Sequence, residues 1–162
     1  MYTGEYYSFT RPRAELDRAL RLTFLCGVLL ALSVFAPLAV KNRYIEQFYT
    51  MVPLLAAFVP LWFLFSGLWY ARGAKTAVSH RVRDRIVRRI SNAALWLLIF
   101  SAAMLLGGVV YLFFFEPSVA DWCFAALSLL RLLPALVIFL RRNVFAMERT
   151  DDAPPEGEIL EF

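Results

Sequence analysis

Residues 22–40, 48–71 and 90–115 of this chain contain no Asp, Glu, Lys, Arg or His, and residues 122–140 contain one charge, Arg131. A hydrocarbon slab about 30 Å thick is crossed by roughly 20 apolar residues of helix. Lipid offers the backbone no hydrogen-bond partners, so such stretches are forced into helices whose polar groups bond internally. The sequence therefore predicts an all-α integral membrane bundle of four transmembrane helices, with spans at about 20–40, 48–71, 90–115 and 120–141. Residues 1–147 form one membrane domain in this reading. The remainder, 148–162, combines Asp151, Asp152, Pro154, Pro155, Glu156, Glu158 and Glu161 with few apolar residues, which predicts a disordered acidic cytoplasmic tail.

The distribution of basic residues fixes an expected orientation. Arg11, Arg13, Arg18 and Arg21 precede the first span. Arg72, Lys75, Arg81, Arg83, Arg85, Arg88 and Arg89 lie between spans two and three, and Arg141, Arg142 and Arg149 follow span four. The other side holds only Lys41 and Arg43. Cytoplasmic flanks of spans carry the excess of Lys and Arg, so both termini and the long middle connection are expected in the cytoplasm. The same rule accounts for the net charge of +4 without nucleic acid as a partner. The first span is too long for a signal-peptide core and reads as an uncleaved anchor. A preponderance of Arg over Lys is consistent with a GC-rich genome and leads us to expect a bacterial plasma membrane.

Residues 76–90 read as a basic amphipathic cytoplasmic helix between helices 2 and 3. Val78, Val82, Ile86 and Ile90 repeat at four-residue spacing, with Arg81, Arg83, Arg85, Arg88 and Arg89 around the rest of the circumference. Such a helix is suited to lie on anionic lipids at the cytoplasmic face, to lengthen span three beyond the bilayer, or to dock an acidic partner. Trp and Tyr near the span ends match interfacial belts. Pro37, Pro53, Pro60 and Pro134 fall inside spans and predict kinks, while Gly67, Gly107 and Gly108 permit close helix approach.

Arg131 is the sharpest single feature. An ionised side chain at mid-bilayer costs roughly 2.5–3.5 kcal/mol on insertion scales, so such residues face a bundle interior or a watery cavity. The side chain leans toward the helix N-terminus, toward Ser128. Three roles fit: bonding serines and carbonyls within the bundle, pairing with an acidic group of a partner subunit, or binding a small anion in a pore. The guanidinium stays charged in all three.

Enzyme chemistry finds few candidates. His80 is the only histidine, so no His-rich metal site can form. Ser33, Ser66, Ser101 and Ser128 have no activating base beside them in the spans, and read as helix–helix hydrogen-bonding groups. Cys26 and Cys123 fall near opposite membrane faces and are not expected to pair. No cofactor is expected. The reading that remains is a non-catalytic accessory or interaction subunit of another membrane protein. The alternative is a small-anion channel or transporter assembled as a homo-oligomer around Arg131.

Overall fold

The computed structural model describes residues 6–39, 43–74 and 77–150. The chain is mostly helical, with four helical segments long and apolar enough to cross a membrane: Arg13–Ala39, Phe48–Gly73, His80–Phe114 and Val119–Phe145. In order, the elements are β1 (Tyr6–Phe9), α1 (Arg13–Ala39), α2 (Arg43–Glu46), α3 (Phe48–Ala56), α4 (Phe58–Gly73), β2 (Val78–Ser79), α5 (His80–Phe114), α6 (Val119–Arg141), a 3-10 turn (Arg142–Phe145) and β3 (Met147–Thr150).

The helices form a ring in which α1 packs on α4, α4 on α5, α5 on α6, and α6 back on α1. Leu30, Val34, Leu64, Ile86, Leu97, Met104 and Ile138 fill the centre. The outer surface carries Leu25, Leu29 and Leu32 on α1, Trp62 and Trp69 on α4, and Leu129, Leu130 and Leu133 on α6. A continuous apolar girdle of this kind is incompatible with water and is what lipid tails cover. The protein is an integral membrane protein.

Sequence punctuates the helices. Pro12 offers its carbonyl to the amides of Glu15 and Leu16, so α1 starts directly behind it. The second span is broken at Ala57 into α3 and α4. Pro60 has no N–H to give the Ala56 carbonyl, and its ring crowds that oxygen. Beyond the break α3 packs against α5. Ser118 and Asp121 close a reciprocal capping box at the start of α6. Pro134, by contrast, sits inside an unbroken α6.

Four details differ from the sequence expectation. The fold is not purely helical: β1 pairs antiparallel with both β2 and β3 in a three-stranded sheet of order β2-β1-β3. Residues 77–90 are not a separate helix between the second and third spans: Val78 and Ser79 form β2, and His80 onward is the first part of α5, so the stretch lengthens the third span, one of the forms expected of it. The apolar stripe of that stretch, Val82, Ile86 and Ile90, is buried at 0–2% exposure in the protein core and so is not available to a lipid surface. Glu148–Thr150 belong to β3, so extended structure continues past the boundary placed at residue 147. Residues 151–162 of the expected tail lie outside the described residues.

The sheet also sets the arrangement of the chain. Tyr6 lies opposite both Ser79 and Thr150, which brings the N-terminal segment, the connection between the second and third spans, and the segment after α6 to one end of the bundle. Tyr7, Val78 and Met147 face inward from adjacent strands and are buried together with Phe145. Burial of one face specifies a strand's register, and in β1 Tyr7 is buried while Phe9, two residues on, is half-buried against the same core.

Candidate functional site

Two groups of residues carry the unusual chemistry: a polar seam inside the bundle and a basic head at the end where the sheet lies.

The seam belongs mainly to α6. This helix buries only Asp121, Ser128, Arg131, Ala135 and Ile138, spaced so that they share one inward stripe. Three of those five are polar. Arg131 is 3% exposed and Ser128 5%, so both point into the chain's own bundle. A direct intramembrane contact between Arg131 and another subunit calls for an outward side chain; the outward face of α6 presents Leu129, Leu130, Leu133 and Leu136 instead. The same burial sets Arg131 apart from any path that runs between copies of the chain.

Asp121 was not anticipated as an interior group, because it lies just before the charge-free part of span four. It is fully buried. Its Oδ2 accepts from the Ser118 amide at 2.9 Å, from the Ser118 hydroxyl at 2.7 Å, and from the Tyr111 hydroxyl at 3.5 Å, a long bond. The signal for this in the sequence is the Ser-x-x-Asp spacing that opens α6. Thr50 on α3 is likewise fully buried beside Gly107 of α5, where an added Cβ would lie 3.1 Å from the threonine methyl.

All four serines bond a carbonyl in their own helix, and Ser66 also makes the expected helix–helix bond. Ser33, Ser101 and Ser128 donate to Leu30, Leu97 and Phe124, carbonyls one turn back in their own helices, at 2.7, 2.6 and 2.9 Å. Ser66 does join two helices: it donates to Phe63 at 3.0 Å and accepts from Arg89 Nη1 at 3.1 Å.

The basic head divides into two sets. Arg81 is exposed, and Arg88 is also outward, its side chain 76% exposed and 3.5 Å from Asp84. Arg83, Arg85 and Arg89 are drawn against the protein. The Arg83 guanidinium lies 4.5 Å from the centroid of Tyr7, and Arg85 lies 5.7 Å from that of Tyr70. Arg89 sits 5.5 Å from the Tyr70 ring and 5.9 Å from that of Phe63. Flat guanidinium groups on aromatic faces retain their charge while shedding part of their water.

Two grooves flank α4. One, of about 450 Å³, runs between α4 and α5 and is lined by Val59, Pro60, Phe63, Arg89, Asn92 and Trp96 among others. The other, of about 560 Å³, lies between α1 and α4 and includes Asp17, Arg21, Phe24, Phe65, Trp69 and Arg72. In both, basic groups stand where a charge-free stretch of sequence meets its flank.

Among the described residues no three His, Cys, Asp or Glu side chains converge into a metal site. Cys26 is buried and Cys123 exposed, both as free thiols. His80 is exposed, with its ring edge-on to Tyr7 at 5.8 Å. The arrangement can hold anions and aromatic or acidic surfaces. Compared with protein-family models, curated proteins and solved structures, the chain matches none.

Proposed function

We propose that this is a non-catalytic multi-pass protein of a bacterial plasma membrane, with both termini cytoplasmic, that acts as an accessory or interaction subunit of another membrane protein. One observation carries this reading: the sheet and the start of α5 build a folded head that holds Arg81 and Arg88 outward. A stretch that served only to set topology by its charge would need no such scaffold. The orientation rests on the concentration of Arg at that end. Outward guanidinium groups on a fixed frame suit an acidic segment of a partner, since less side-chain freedom is lost on binding.

The test is purification from native membranes in mild detergent, with mass and co-purifying chains determined together. A stoichiometric second protein that is lost from the Arg81→Glu/Arg88→Glu variant, while the variant still inserts and folds, supports the proposal. A homo-oligomer without a second protein overturns it.

A second reading is a small-anion channel or transporter assembled as a homo-oligomer. In this reading each copy carries its own path inside its bundle, along the inward stripe of α6 that holds Arg131 and Ser128, and no path runs between copies. It requires anion flux in proteoliposomes that is abolished by Arg131→Met.

A further inference from the structure

We infer that the groove between α4 and α5 is a binding site for an anionic glycerophospholipid of the leaflet at the basic end, with Arg89 and Asn92 taking the phosphate and the aromatic wall taking an acyl chain.

Depth supplies the first argument. Arg89 is the last charged residue before the charge-free stretch that begins at Ile90, so its guanidinium lies where headgroups meet hydrocarbon. Asn92 lines the groove one turn further in and is exposed. From there the groove continues past Ala93 and Trp96 to Phe100, with Phe63, Pro60 and Val59 on the facing α4 and Ala56 at the end of α3. Phe100 lies eleven positions beyond Arg89 on α5, about 16 Å at 1.5 Å per residue. That is enough to follow much of one acyl chain.

Preorganisation supplies the second. Arg89 does not hang free: its Nη1 is tied to Ser66, and its plane is flanked by Phe63 and Tyr70. The remaining N–H groups keep their fork geometry, which matches phosphate. Trp96 and Phe100 stack at 5.6 Å with a 27° interplanar angle, forming a flat apolar wall. One end of the groove is cationic and hydrogen-bonding, and the rest is apolar. An anionic phospholipid has this polarity, whereas a soluble phosphate leaves the wall unused and a zwitterionic lipid brings its own cation to Arg89. The groove between α1 and α4 is a poorer fit, because Asp17 stands beside Arg21 and Arg72.

This inference does not depend on the accessory role, since Arg81 and Arg88 take no part in it. The test uses the full chain in lipid nanodiscs with Trp62→Phe, Trp69→Phe and Trp122→Phe, three outward indoles, so that Trp96 is the sole reporter. Phosphatidylglycerol or phosphatidylcholine with brominated chains is added at low mole fraction, and Trp96 quenching is read. Brominated phosphatidylglycerol is expected to quench with about fivefold higher apparent affinity, the effect of one well-placed cation. Arg89→Gln is expected to remove that preference. Arg21→Gln, which deletes a charge on the other face of α4, is expected to keep it. If Arg89→Gln fails to fold, judged by circular dichroism and elution profile, Asn92→Leu replaces it and is expected to lower the preference at least partly. Equal quenching by the two lipids overturns the inference. So does equal loss in Arg21→Gln and Arg89→Gln, which would mean diffuse surface attraction. Abolition of the preference by excess inorganic phosphate at constant ionic strength would point to a soluble anion and also overturn it.

Discussion

The Arg83 guanidinium lies 4.5 Å from the centre of the Tyr7 ring, so the first strand and the start of the third membrane-spanning helix are joined across more than seventy residues of sequence. Tyr7 is 9% exposed and sits opposite Val78 in β2 and Arg149 in β3. It is the residue on which the three chain segments at the basic end converge.

Tyr7→Ala is therefore expected to lower stability by about 2–4 kcal/mol, combining loss of a buried aromatic ring with loss of the cation–π contact. Tyr7→Phe keeps the ring and should cost less than about 1 kcal/mol. Thermal unfolding of both variants in one detergent measures the difference. Similar losses in the two would show that the hydroxyl, not the ring, matters.

The sheet makes a geometric prediction. Ser8 and Glu148 are directly opposed in the β1–β3 ladder. Cα atoms of opposed antiparallel residues lie about 4.5–5.5 Å apart, within disulfide range. In a Cys26→Ala/Cys123→Ala background, Ser8→Cys/Glu148→Cys should cross-link on mild oxidation, and Thr10→Cys/Glu148→Cys should do so poorly. A mobility shift on non-reducing gels reads both. Equal yields would contradict this register.

Gly67 marks the tight contact of α4 with α5. A Cβ added there would lie 2.8 Å from Ile90 Cγ1 and 3.3 Å from Arg89 Cβ. Ile90 is 1% exposed and β-branched, so it has little room to yield. Gly67→Ala is expected to destabilise by about 1–3 kcal/mol. Gly27→Ala, which meets the side-chain ends of Phe65 and Leu64 at 3.2–3.3 Å, should cost less. The ranking can be checked by thermal unfolding.

Arg131→Met fills similar volume without a charge. Removing one member of a set of buried polar contacts leaves the others unsatisfied, which costs about 3–5 kcal/mol where the contact is a charge pair. The variant should insert, lose stability by up to that amount, and retain any partner held by the basic head. Loss of the partner together with normal insertion would instead assign Arg131 to the contact.

The asymmetry at Asp121 is as informative as that at Arg131. Both are buried on one stripe of α6, yet only Arg131 stands out in sequence, because it interrupts an apolar run. Asp121 lies at the edge of that run, where a charge is ordinarily solvated. Its burial comes from Ser118 folding back as a cap and from Tyr111 of the neighbouring helix. The Arg cluster at 81–89 shows the converse. Its charge and spacing are visible in sequence, but which guanidinium groups face outward depends on where Tyr7, Tyr70 and Ser66 lie.

The number of spans, their approximate limits and the concentration of Arg at one end are all local properties. Roughly 20 apolar residues in lipid must be helical wherever they occur. A proline, by contrast, removes the same hydrogen bond in any context and yet only the second span breaks, Pro37 and Pro134 lying inside continuous helices. The sheet is not local in this sense. β1, β2 and β3 have four, two and four residues, too short to stand out by periodicity, and become stable only when the four-helix ring brings them to the same end. The same holds for the α4–α5 groove. Its apolar wall and Arg89 can be read one residue at a time, but packing at Gly67 and Ile90 decides that they face one cavity, because a groove is the space left between two helices and belongs to neither sequence alone.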